Sequence, residues 1–145
     1  MSGLVMPTVS ALTAGVLLIF QTLLMLAAAR GRQRARQSLG DGGDSDLERA
    51  VRRHGNFAEN AAIFLIGVTL LEMLGGARLW VEGLCAIFVL GRLSHALGLS
   101  MKRTVNLFRF VGIVLTVAVD ITLGVRLVTL ALHQLPALSL GLAQV

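Results

Sequence analysis

Arg49, Arg52, Asn56 and Glu59 are spaced by three, four and three within the run Glu48-Arg49-Ala50-Val51-Arg52-Arg53-His54-Gly55-Asn56-Phe57-Ala58-Glu59-Asn60, which leads directly into a long apolar segment. At helical periodicity these spacings put all four side chains on one stripe. Guanidinium groups donate to anions, a carboxylate accepts from cations, and an amide does both. Their grouping where a hydrophobic helix begins suggests a polar ligand site at a membrane face, because a bilayer penalises such groups unless they are partnered. A helix end lying among lipid phosphates would account for Arg49 and Arg52. It would not account for Asn56 and Glu59, which lie about two turns deeper, roughly 10 Å at 1.5 Å per residue.

Further polar groups interrupt the apolar segments that follow. Arg92 and His95 are one turn apart, and Arg92 is a natural partner for Glu59, whether as an interhelical ion pair or as part of an anion pocket. For His95 alone, packing or a hydrogen bond is the simpler reading. Arg109 opens the last apolar segment near the same face, where snorkelling to the headgroups is its plainest role. Asp120 falls mid-segment and needs a partner, with Arg92 and His95 as candidates. Glu72, Arg78 and Glu82 are expected at the membrane interface in contact with solvent. The three histidines, His54, His95 and His133, are dispersed without ligand spacing, so no metal site is expected. The single cysteine, Cys85, lies in an apolar stretch and reads as packing.

The elements that must position these groups follow from composition. Of 145 residues, 55% are hydrophobic and 14% charged, with a mean hydropathy of +0.79. Soluble domains carry about 25% charged residues, so the chain reads as an integral membrane protein of a single domain, residues 1–145. Four apolar segments are legible, about 7–29, 47–74, 78–99 and 105–134, each reaching the roughly 20 residues a spanning helix needs. The first lacks a basic leader and is too long for a signal-peptide core, so it reads as a retained transmembrane helix. Asp44, Ser45 or Asp46 can cap the second helix, Gly75-Gly76 ends it, and Pro136 is expected to stop the fourth. Short connections predict an all-α, antiparallel, up-down four-helix bundle. The second and third segments carry Glu59, Glu72, Arg92 and His95, so helices two and three should face an interior or an intersubunit cleft rather than lipid.

The net charge of +5 does not indicate nucleic acid. Arg30, Arg32, Arg34 and Arg36 directly follow a hydrophobic segment, and no aromatic residues interleave them for base stacking. With Arg49, Arg52 and Arg53 they load the first connection, while Lys102 and Arg103 load the third. The opposite side offers Arg78, with Arg126 as the one further candidate. The positive-inside asymmetry places connections one and three in the cytoplasm and both termini across the membrane.

Arg52-x-x-x-Asn56-x-x-Glu59 resembles the signature of the MAPEG family, the membrane-associated proteins in eicosanoid and glutathione metabolism. Ser38-Leu39-Gly40-Asp41-Gly42-Gly43, Leu47-Glu48-Arg49-Ala50, His54-Gly55-Asn56-Phe57-Ala58-Glu59 and Gly91-Arg92-Leu93-Ser94-His95-Ala96-Leu97-Gly98-Leu99 are similar to its bacterial branch, and the similarity runs over nearly the whole chain. The resemblance implies a homotrimer in a bacterial inner membrane, with glutathione as co-substrate between neighbouring subunits near the cytoplasmic face. It implies transferase, peroxidase or isomerase chemistry on lipophilic substrates. By the same resemblance, Arg52, Asn56, Glu59 and Arg92 contact glutathione, with His54 and His95 beside them. Arg30 or Arg32 reaches a glutathione carboxylate, and Arg109 activates the thiol.

The chain departs from the family pattern where tyrosines are usual, at Asn60 and Leu99, and it contains no tyrosine at all. Ala62 replaces a customary proline. Three functions therefore stand side by side: a glutathione transferase or peroxidase, a non-catalytic lipid-binding or scaffold member, and a small four-helix transporter that would use Asp120.

Overall fold

The computed structural model describes residues 5–103 and 105–142, with side chains described as far as residue 135. It is an all-α bundle of helices α1 (Thr8–Ala35), α2 (Ser45–Met73), α3 (Arg78–Ser100) and α4 (Leu107–Leu142). All four are long and apolar enough to cross a membrane. The centre belongs to α2 and α3, each of which packs against all three other helices, whereas α1 and α4 do not meet among the described residues. Half of the most apolar stretch of α3 is buried, against 22% for α1 and for α4. α2, a third of whose apolar stretch is buried, and α3 are thus the more buried pair, and they carry Glu59, Glu72, Arg92 and His95.

Between helices that cross a bilayer, close packing does the work that water exclusion does elsewhere. The core is layered around Phe64 and Phe88, whose rings stack at 3.8 Å and join α2 to α3. Phe20 meets Phe57 edge to face at 5.0 Å and joins α1 to α2. The α3–α4 pair comes closest, because glycines remove the side chains in between. A Cβ at Gly112 would lie 2.5 Å from the His95 backbone nitrogen and 2.7 Å from the Gly91 carbonyl oxygen. One at Gly98 would lie 2.5 Å from the Arg109 nitrogen.

Both ends of α2 are accounted for by local chemistry. The Asp44 carboxylate accepts from the Asp46 and Leu47 amides at 2.8 and 3.1 Å, capping α2. At the other end of α2, Gly75 takes φ +80°. There Gly75 donates to the Glu72 carbonyl and Gly76 to that of Leu71, the paired bonds of a Schellman stop. The helix runs unbroken through Ala62. α1 continues past Ala29 through the arginines to Ala35. At about 1.5 Å per residue its 28 residues span about 42 Å, more than a hydrocarbon core of about 30 Å, so the basic turns project beyond the membrane. α4 runs through Pro136, contrary to the expected stop. A proline deletes one link of the backbone ladder and crowds the carbonyl four residues earlier, and the helix continues past both.

Glu72 corrects the expectation of a solvated interfacial carboxylate. It is 8% exposed, and it accepts from the Val9 amide at 3.0 Å and from the Ser10 amide and hydroxyl at 2.8 and 2.6 Å. Pro7, at the N-cap of α1, supplies no capping bond. The orphan amides and positive dipole of that terminus attract the carboxylate that antiparallel packing brings alongside. Arg78 and Glu82 instead pair with each other at 2.6 Å on the surface. Glu72→Ala is expected to destabilise the protein by about 2 kcal/mol, the loss of a cap plus stranded buried donors. Thermal unfolding in detergent would register this, and Glu82→Ala should leave the transition in place.

Candidate functional site

The stripe on α2, the middle of α3 and the start of α4 enclose a cavity of about 400 Å³. Its walls include Arg52, Asn56, Glu59 and Asn60 from α2, Arg92, His95 and Leu99 from α3, and Arg109 and Thr116 from α4. That volume lies within the usual range for small-molecule sites. A second cavity of about 430 Å³ shares Arg52, Leu99 and Arg109 with it and adds Arg49, Lys102 and Arg103. The approach to the site is therefore strongly basic.

Arg92 is the centre of the site and is only 3% exposed. Its Nη2 donates to Asn56 Oδ1 at 2.6 Å and to His95 Nδ1 at 2.9 Å. Its Nη1 reaches Thr116 Oγ1 at 3.3 Å, and that hydroxyl donates in turn to the Gly112 carbonyl at 2.8 Å. A guanidinium only donates, so His95 Nδ1 must be the acceptor and the imidazole proton must sit on Nε2. On the same helix, the Asn56 backbone carbonyl accepts from Asn60 Nδ2 at 2.7 Å. The acceptors on Arg92 are all neutral.

The expected Arg92–Glu59 pair is not formed. Among the described residues the ion pairs are Arg49–Asp46, Arg52–Glu48 and Arg78–Glu82. The axial offset between α2 and α3 sets Arg92 level with Asn56, one turn from Glu59. Glu59 is exposed on the cavity wall instead. Arg52 is shared with Glu48 at 2.8 Å and is 71% exposed. Asp120 also lacks the direct partner expected for it, and its Oδ1 is buried without a hydrogen bond.

The structure brings Arg52, Asn56, Glu59, Arg92, His95 and Arg109 to one cavity. It places Arg30 and His54 on another side. His54 Nε2 lies 2.9 Å from Gln21 Nε2, facing α1. Arg30 lines a groove between α1 and α2 with Arg34, Arg49 and Arg53. Arg32 holds the first connection, donating to the Ser38 and Gly40 carbonyls. Thr116 is a site residue that sequence reasoning misses. Its signal in the sequence is the four-residue spacing of Gly112, Thr116 and Asp120, small and polar residues on one face of an otherwise apolar helix. Asn60 and Leu99, which stand where tyrosines are usual in the resembled family, both line the cavity. No group of histidine, cysteine and carboxylate side chains suited to a metal occurs among the described residues.

The architecture and the cavity can be set against known proteins. The MAPEG family model matches residues 10–129, which contain every cavity residue. The inner membrane protein YecN of Escherichia coli strain K12 is 37% identical over 91 residues, 62% of this chain and 69% of that protein. YecN of E. coli O6:H1 strain CFT073 matches to the same extent. No solved structure matches the chain. A four-helix membrane bundle with its polar residues on α2 and α3 thus has a family: the chain belongs to MAPEG, in the bacterial branch.

Proposed function

We propose that the protein binds glutathione in this cavity and acts as a glutathione transferase or peroxidase on lipophilic electrophiles. The observation that carries the reading is Arg92, a buried permanent cation held only by neutral acceptors, on a cavity that also presents Arg52, Arg109 and a single carboxylate, Glu59. Glutathione has two carboxylates, an ammonium and a thiol. Arginine forks bind carboxylates in pairs of parallel bonds, and Glu59 suits the ammonium. A third guanidinium beside the sulfur favours the thiolate, which is the nucleophile. Arg109 is the residue assigned to that role. Apolar substrates would enter from the lipid side, past Ile113 and Val117.

The positions of Arg30 and His54 support assembly as a homotrimer with an intersubunit site. Within one subunit they face away from the cavity, so they can serve the same ligand only if a neighbouring copy presents its α1–α2 face there. The arginine asymmetry supports an orientation with the cavity mouth and connections one and three in the cytoplasm. The relatives' description as inner membrane proteins supports that membrane as the location.

Asn60 and Leu99 favour a second reading, a binding member without turnover, because no phenol lines the cavity to contact the sulfur. Calorimetric titration of the detergent-solubilised protein with glutathione tests the first claim. Saturable binding is expected, and Arg52→Ala should weaken it roughly tenfold, because this exposed arginine already shares its charge with Glu48. No heat and no competition from glutathione analogues would overturn the assignment. Conjugation of a model electrophile then separates the two readings, since a binding-only member gives none.

A further inference from the structure

Asp120 is the sole acidic residue of α4 and lies outside the ligand cavity. It follows Gly112 and Thr116 at four-residue steps, one turn beyond the hydroxyl that accepts from Arg92. Its Oδ1 is buried without a hydrogen-bond partner, and so is Arg92 Nε. No ion pair joins the two directly. A carboxylate and a guanidinium edge, both orphaned inside an apolar bundle and linked through Thr116 one turn away, have complementary needs.

We propose that Asp120 is the counter-charge of Arg92 and a positioning residue for the ligand site, keeping the guanidinium seated in the bundle with its Nη edge turned to the cavity. A guanidinium cannot shed its proton, so it cannot escape burial by neutralising itself. Asn56, His95 and Thr116 satisfy donors but contribute no charge. The charge itself calls for a carboxylate, and Asp120, one turn beyond Thr116 on the helix that Arg92 bonds, is the acidic residue placed to supply it. Its stand-off has a use. A carboxylate in contact would take donors that a ligand needs, whereas one set back from contact stabilises the charge and leaves the second Nη1 N–H, the one not bonded to Thr116, for a ligand.

The binding half of this proposal rests on glutathione being the ligand, and the stability half does not. The test is a double-mutant cycle of Asp120→Asn and Arg92→Met, with Asp120→Glu alongside, in the full-length protein in detergent. Thermal unfolding without glutathione is one readout, and glutathione affinity is the other. Asp120→Asn is expected to lower the melting temperature by about 5 °C alone and by much less in the Arg92→Met background, a coupling that a packing role would not produce. It should weaken glutathione about tenfold, and Asp120→Glu, which restores the charge in a different shape, should recover most of both losses. If Asp120→Asn alone does not fold and the double variant does, the coupling is present in its strongest form. Additive effects on melting would overturn the proposal. Coupled melting with unchanged glutathione affinity in Asp120→Asn would overturn the positioning role. Coupled melting with no glutathione binding by the unmutated protein would support the charge pair and overturn glutathione as the ligand.

Discussion

Arg92→Ala is expected to abolish measurable glutathione binding, with a loss of about 2–5 kcal/mol, the range seen when one member of a buried charged pair is truncated. The effect should exceed that of Arg52→Ala for a reason visible in the surroundings. Arg92 is buried and organises side chains from three helices, whereas Arg52 is largely exposed and bonded to Glu48. Removing Arg92 also strands Asn56 Oδ1 and His95 Nδ1 as acceptors without donors. Arg92→Lys should not rescue binding. Its single ammonium cannot serve Asn56, His95 and Thr116 in the planar arrangement of a guanidinium and still face a carboxylate. Titration calorimetry reads the affinity, and thermal unfolding checks that the variants remain assembled. An unchanged affinity in Arg92→Ala would move the ligand to another cavity.

The second large effect is expected at Gly112. A methyl group there would stand 2.5 Å from the His95 backbone nitrogen and 2.6 Å from its Cβ, atoms that no rotamer change can move aside. α3 and α4 would have to separate, so Gly112→Ala should cost at least about 2 kcal/mol net despite alanine's better helix propensity. The damage reaches the ligand site, because the Arg92–Thr116 bond bridges the same two helices and is already 3.3 Å long. Gly124→Ala, farther along α4, is the informative contrast. Nothing lies within 4 Å of its added Cβ, so only the propensity gain of about 1 kcal/mol remains. Thermal unfolding should therefore shift in opposite directions for the same substitution on the same helix. Equal shifts would mean that α3 and α4 do not pack through Gly112.

Helical periodicity makes much of the site legible from residue order alone. Spacings of three and four put Arg52, Asn56 and Glu59 on one face of α2, and antiparallel topology brings Arg92, His95 and Arg109 to the same end. Periodicity says nothing of how far one helix slides along another. That offset decides that Arg92 meets Asn56 rather than Glu59, and that no ion pair joins Asp120 to Arg92 directly. Thr116 escapes notice in the sequence because a lone threonine in an apolar helix looks like packing. Its importance comes from the glycine one turn earlier that lets α3 approach. Glu72 misleads in the same way, because a carboxylate near a helix end resembles any interfacial residue until the neighbouring terminus is known.

The contacts of Glu72 bear on how the bundle enters a membrane. Its carboxylate belongs to the last turn of α2, and the amides it accepts from belong to the first turn of α1. The chain between them is the whole helical hairpin, so the clasp closes only when both helices have crossed. Until α2 arrives, the start of α1 has no protein partner for those amides. Once both helices span the membrane, a single acidic residue therefore ties the end of α2 to the start of α1.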